Sequence, residues 1–254
     1  MKDWGGDTSI LINRLQRQSE WLGEMYQWLL NTKILPDLRG GGGKKGARQK
    51  ALDVGCGPGY VMEMFSGDLD VTGIDIDPEM VDLCIERDLS VVRGDAEDLP
   101  FNDGEFDLVY CSFLMMWVKD QERVMQEMVR VSRGWVVCLA EPDFGGRIDH
   151  PIELKGLKEL IVGGILKDGG DPHVGRKLSG LFRKHDLRME LGVHPGVWGP
   201  EVLANESDGE WNWLRMTIGS KSDELEHYRE HWDNALKDGT LFQFNPVFYA
   251  LGKK

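Results

Sequence analysis

Between residues 51 and 140, short apolar runs alternate with segments whose apolar positions recur every three or four residues. The runs at 51–54, 71–75, 89–93, 106–111 and 135–140 predict buried strands. The periodic stretches at 60–65, 78–86 and 121–131 predict helices. Strand and helix in regular alternation imply a parallel sheet with helices on both faces.

The flanks differ. Ile10, Leu11, Leu15, Leu22, Met25, Trp28 and Leu29 fall at helical spacing, which predicts a helix over 8–35 with Pro36 as its stop. A glycine-rich linker over 39–46 follows. Its basic residues invite an RNA-binding role, but a solvated linker is favoured. After Glu141 the alternation is lost. Helices are expected at 152–166, 175–184, 211–218 and 222–236, a strand at 187–193, and a last strand at 244–251. The expected division is a helical cap and linker (1–46), a Rossmann-like core (47–141), a helical lid or substrate region (142–243) and a closing strand (244–254).

A formal net charge of -13 repels phosphate backbones at long range and argues against a general nucleic-acid binder. Cys56, Cys84, Cys111 and Cys138 form no CxxC pair, which argues against a structural zinc site or redox dithiol. Met1 to Asp7 carry no apolar signal core, and no apolar run is long enough to span a bilayer. A cytoplasmic protein is the expectation. No His-Glu-x-x-His arrangement is present, so no metal is expected.

In a doubly wound sheet, ligands sit beyond the carboxyl ends of the strands, where the order reverses. Asp53-Val54-Gly55-Cys56-Gly57-Pro58-Gly59 follows the first strand. Its three alternate glycines permit a sharp turn and close approach of a ligand. A dinucleotide fingerprint needs G-x-G-x-x-G, and here Gly59 comes one place early. Asp75 ends the second strand, where a carboxylate can accept from both ribose hydroxyls of an adenosine. The competing role, capping the next helix, suits Asp77 better because Pro78 follows it directly. Asp95 could accept from an adenine amino group while Ala96 donates its backbone N–H. A solvated acidic loop is the alternative there.

Together with Gly73-Ile74-Asp75-Ile76-Asp77-Pro78-Glu79-Met80, Gly94-Asp95-Ala96-Glu97-Asp98-Leu99-Pro100-Phe101 and Phe106-Asp107-Leu108-Val109-Tyr110-Cys111-Ser112-Phe113, the glycine loop resembles the ordered motifs of class I S-adenosylmethionine-dependent methyltransferases. The resemblance covers roughly residues 50–141. It implies a doubly wound, mostly parallel seven-stranded sheet whose last strand runs antiparallel, with S-adenosyl-L-methionine as cofactor. Carried over by position, Gly55, Gly57 and Gly59 would line the methionine and ribose, with Cys56 among them. Asp75 would bind the ribose hydroxyls, and Ile76 and Met80 would flank the adenine. Asp95, Ala96 and Glu97 would meet the adenine edge. Cys111, by its backbone carbonyl, and Ser112 would face the methionine end, with Asp53 supporting the loop.

Many relatives carry histidines after the fourth strand, where this chain has Met115-Met116-Trp117. The acceptor is therefore open, a small molecule or a polypeptide. Asp143, Glu141 and His173 are the candidate bases, and Trp117 and Tyr26 candidate walls of the methyl site. The later tryptophans could form a lid, a packed subdomain or a dimer seam. A non-catalytic adenosylmethionine-binding subunit, a tRNA methyltransferase and a nicotinamide oxidoreductase are the alternatives. The expectation is geometric: Asp75, the glycine turn and the acidic loop should converge on one adenosine-sized hollow.

Overall fold

A computed structural model describes residues 8–40, 48–218 and 222–254. The first seven residues and most of the glycine-rich linker lie outside the described residues. The chain runs α1 (Thr8–Leu29), α2 (Leu35–Gly40), β1 (Gln49–Val54), α3 (Tyr60–Phe65), β2 (Leu69–Asp75), α4 (Pro78–Glu86), β3 (Val91–Arg93), β4 (Phe106–Ser112), α5 (Gln121–Val131) and β5 (Ser132–Pro142). It continues with β6 (Ile148–His150), α6 (Leu157–Lys167), α7 (Val174–Arg183), β7 (Arg188–Val193), β8 (Val197–Trp198), α8 (Pro200–Ile218), α9 (Ser222–Lys237), β9 (Phe242–Phe244) and β10 (Val247–Lys253).

Seven strands form one sheet in the order β3-β2-β1-β4-β5-β10-β7. β1 to β5 pair in parallel, while β10 is antiparallel to both neighbours. This is the Rossmann-like arrangement the sequence predicts. The order reverses between β1 and β4, so the glycine turn after β1 and Ser112 at the end of β4 flank the switch point. Leu52, Val54, Val109, Cys111, Val136 and Cys138 build one buried face with Val124, Met125 and Met128 of α5. Ala51, Leu108, Tyr110, Val137 and Leu139 build the other, closed by Tyr26, Leu29, Leu30 and Ile34.

Pro36 does not stop the N-terminal helix. It lies inside α2, and residues Leu30–Ile34 form a π turn in which the Leu35 N–H reaches back to the Leu30 carbonyl. Proline lacks an N–H and its ring crowds the carbonyl four residues back, and the wider turn relieves both.

The closing strand also differs. Phe244 pairs with Ile148 and Val197 in a separate three-stranded sheet of order β6-β9-β8. Pro246 cannot continue a ladder, and the main-sheet strand starts at Val247. A further difference is α8, which begins at Pro200 rather than at residue 211. Within this insertion Trp211 and Trp232 meet edge to face at 5.6 Å and are buried.

Candidate active site

The turn after β1 is held from beneath by β2. Gly55 and Cys56 donate backbone N–H groups to the Ile74 carbonyl at 2.8 and 3.1 Å. Gly57, at φ +52°, turns its N–H to Asp75 Oδ2 at 2.8 Å, and Asp77 N–H reaches Oδ1 at 2.9 Å. Both Asp75 oxygens are thus anchored by amides, and each keeps lone-pair capacity for a hydroxyl donor. Burial raises the Asp75 pKa, while the two amides oppose that shift. Asp77 caps α4 by accepting from Glu79 N–H at 2.9 Å, as the sequence indicates. Gly59, at φ +84°, also serves packing. A Cβ there would strike Leu89 at 2.3 Å and Cys84 at 3.1 Å, so its missing side chain admits core packing.

The other side of the switch point carries buried polar atoms without partners. Asp53 is 2% exposed, and its Oδ2 has no hydrogen-bond partner. Glu141, fully buried, accepts from Leu114 and Met115 N–H groups through Oε1 at 3.1 and 3.0 Å, while its Oε2 is unpartnered. Burial pushes both carboxyls up to about 8. Tyr26 Oη and Ser112 Oγ lie 2.8 Å apart. Phe113, next in the chain, sits in the left-handed region at φ 54°, and its N–H donates to the Ala140 carbonyl at 2.7 Å. Such strain in a non-glycine residue concentrates at functional sites. The sequence pattern carries no signal for it.

The raised carboxyls have a consequence for stability. A carboxyl whose folded pKa exceeds its unfolded value keeps its proton longer in the native state, so stability falls as pH rises from the unfolded to the folded value. Asp53→Asn should flatten the decline in urea midpoint between about pH 5 and pH 8, because the amide cannot ionise. A variant with the full wild-type slope would show that Asp53 titrates normally.

α1 lies across this site. Thr8 bonds Glu79 at the start of α4, Leu15 approaches Gly57 to 3.6 Å from where a Cβ would stand, and Tyr26 reaches Ser112. The remaining hollow is about 50 Å³, lined by Leu15, Gln18, Ser19 and Tyr26 of α1 with Asp53, Gly55, Cys56, Gly57, Ser112 and Phe113 among the residues opposite. That holds a water or two, whereas small-molecule pockets run to about 300–1,000 Å³. The expected adenosine-sized hollow is not open in this form, because α1 and Leu15 fill it.

The acidic loop sits beside Asp75 without lining that hollow. Gly94 N–H donates to the Asp75 carbonyl at 3.0 Å. Asp95 is exposed and accepts from Glu97 N–H at 2.9 Å, Ala96 is half-buried, and Ile76 is 44% exposed above a buried Met80. α5 pins the loop from behind: Arg123 Nε donates to the Glu97 carbonyl, and Arg130 to the Leu99 and Phe101 carbonyls. Cys111 is buried with its Sγ 3.6 Å from Cys138, so only its backbone can face a ligand.

The candidate bases and walls beyond β5 fall differently. Asp143 is buried and bound by both Nε and Nη2 of Arg176, at 2.5 and 2.7 Å, and His173 Nδ1 stands 3.5 Å from it. Trp117 packs against Gly170. Among the described residues, no group of three or more His, Cys, Asp or Glu could hold a metal ion.

Residues 52–138 match the model of the methyltransferase domain family. This segment is similar to that family's domain, and the seven-stranded, mostly parallel sheet that contains it is the Rossmann-like arrangement seen in solved methyltransferase structures. Over 93 residues the chain is 38% identical to ajmaline N-methyltransferase of Rauvolfia serpentina, covering 32% of this chain and 31% of that one. Over 118 residues it is 38% identical to demethylmenaquinone methyltransferase of Staphylococcus aureus, covering 42% and 47%. The matches span less than half the length of these relatives. A methyltransferase from an antibiotic biosynthesis pathway of Anabaena variabilis shares the fold at 16% identity and TM-score 0.63, over 90% of this chain and 96% of that one.

Proposed function

We propose that the protein is an S-adenosylmethionine-dependent methyltransferase acting on a small-molecule or polypeptide acceptor. The observation that carries this is the anchored Asp75 carboxylate, tied to the Gly57 turn at the switch point of the sheet. In this proposal residues 47–141 carry the cofactor, 142–243 the acceptor, 1–46 cover both and 244–254 complete the sheet. Asp75 takes the ribose hydroxyls, while Ile76, Met80, Asp95, Ala96 and Glu97 surround the adenine. Gly55, Cys56, Gly57, Gly59, the Cys111 carbonyl and Ser112 border the methionine, with Asp53 behind them.

The residues fit such a cofactor on two counts. Gly57 is a cradle that a side chain would fill, and Asp53 Oδ2 is a buried acceptor in need of a donor such as an ammonium group. Admission requires α1 to move away from the glycine turn. When bound, adenosylmethionine would supply a methyl group on an already activated sulfonium for an acceptor nitrogen or oxygen, with Asp75 holding the ribose and the Gly55–Gly57 turn the methionine end. The chain's own work is alignment and exclusion of water, effects worth up to roughly 7–11 kcal/mol together. The return of α1, with Tyr26 against Ser112, supplies that exclusion.

The proposal includes a reducing, cytoplasmic setting, supported by four buried free cysteines. Among the described residues no helix is long and apolar enough to cross a membrane. The acidic net charge favours metabolite or protein acceptors over nucleic acid. Labelled methyl transfer from the cofactor into a fractionated cell extract is the test. Label in the metabolite or protein fraction is expected. No label in any fraction, with tight cofactor binding retained, would point instead to a regulatory subunit.

A further inference from the structure

One stripe of α1 faces the glycine turn with Leu15, Gln18 and Ser19. The neighbouring stripe carries Arg14, Arg17 and Trp21, three or four residues apart, and faces α8. There the Arg14 guanidinium carbon lies 4.9 Å from the Trp21 ring centroid and 4.7 Å from that of Trp213. Phe144 stacks on Trp213 at 5.6 Å, and Trp198 meets Trp21 edge-on at 4.5 Å. Arg14 Nη1 donates to Glu210 Oε2 at 2.9 Å, and that carboxylate is 1% exposed. Phe144 stands three residues after Glu141, so these rings border the same end of the sheet as the glycine turn.

Two indoles and a buried carboxylate around a planar cation make a cation-binding cage, and here the chain's own arginine fills it. The electrostatics of α1 withdrawal are one-sided. Glu210 keeps its other oxygen on Arg147 Nη1 at 3.2 Å, and Asp149 binds Arg147 Nε with both oxygens at 3.0 Å. Arg17 pairs with Glu206 of α8. When α1 lifts to admit the cofactor, Arg14 and Arg17 leave with it. The wall left behind holds three carboxylates, Asp149, Glu206 and Glu210, against one guanidinium, Arg147. Glu210 Oε2 then faces Trp213 without a partner, a costly state for a buried charge that an incoming cation relieves, and Trp21 completes the cage when α1 returns.

We propose that this chamber between α1 and α8 is the acceptor site and that it takes an organic cation, an amine or guanidine, with Arg14 holding the place in the closed form. It rests on the methyltransferase function proposed above and names the substrate class of that site.

The test uses the full chain and two readouts. In the first, trimethylammonium and methylguanidinium are titrated by tryptophan fluorescence, with methylurea as uncharged control. Arg14→Met should bind the cations about tenfold tighter than wild type, because the cage is emptied. Arg14→Lys should stay near wild type, and adding Trp21→Leu to Arg14→Met should remove the gain. Equal affinity for cations and methylurea, or no gain in a folded Arg14→Met, would overturn the cage. In the second, unaltered protein with labelled cofactor is offered amines, phenols and carboxylic acids of matched size. Label in the amines is expected, and label confined to phenols or acids overturns the proposal even if Arg14→Met fails to fold. Adenosylmethionine binding is measured alongside: its absence would sink the proposed function, while the cation titration still judges the chamber.

Discussion

Asp75→Ala is expected to raise the adenosylmethionine dissociation constant by about 10- to 150-fold, the scale of a lost charge-assisted hydrogen bond to a ligand. Two effects add. The carboxylate that would accept from the ribose is removed, and the amides of Gly57 and Asp77 lose the acceptor that fixes the turn. Asp75→Asn separates them, since its amide oxygen retains one of those acceptors and it should fall between wild type and alanine. Isothermal titration of folded variants decides this. Wild-type affinity in Asp75→Ala would remove Asp75 from the site.

The second large effect is on stability. Arg147→Ala should lower unfolding free energy by about 3–5 kcal/mol, as expected when one partner of a buried ionic network is deleted. Arg147 is 4% exposed and meets Asp149, Glu210 and Gln243 Oε1, so its removal strands the Asp149 carboxylate in the interior and leaves Glu210 with Arg14 alone. Burial alone would raise the Glu210 pKa, but the guanidiniums of Arg14 and Arg147 outweigh it and hold the carboxyl below its usual value. With one of its two guanidiniums gone, Glu210 should take up a proton more readily, and the variant should recover part of its loss at acidic pH. Urea unfolding at neutral and acidic pH measures both. A loss below about 1 kcal/mol would mean that the network relaxes or hydrates without cost.

From β1 to β5 the sequence was nearly transparent. β1, most of β4 and β5 are buried and read as apolar runs, while β2 and β3 are partly exposed, and the turns between them carry residues with single physical purposes. Asp77 before Pro78 is one such case, and the amphipathic face of α5 with Val124, Met125 and Met128 is another. The Asp75–Gly57 tie was legible as two halves, a strand-end carboxylate and a flexible turn, although the bond joining them is a tertiary fact.

What the sequence hid follows from long-range packing. α8 was read eleven residues short because Glu206, Ser207 and Glu210 are buried, and polar residues on an inward face erase the apolar period. Their partners, Arg14 and Arg17, are nearly 200 residues away in the chain. β9 was merged into the last strand because Pro246 separates two runs of similar composition. Asp143 stood as a candidate base beside an ion-pair role, and its partner Arg176, 33 positions on, could not be picked out from the sequence. The covering of the glycine turn by Leu15 had no local signature either, since a leucine on an amphipathic helix is ordinarily core.

The most direct test is calorimetric titration of the unaltered protein with adenosylmethionine, adenosylhomocysteine and NAD in one buffer. Binding of the first two at one molecule per chain, with no heat from NAD, is the expected outcome. NAD binding without either sulfur nucleoside would contradict a methyl-donor site at the Gly55–Gly57 turn.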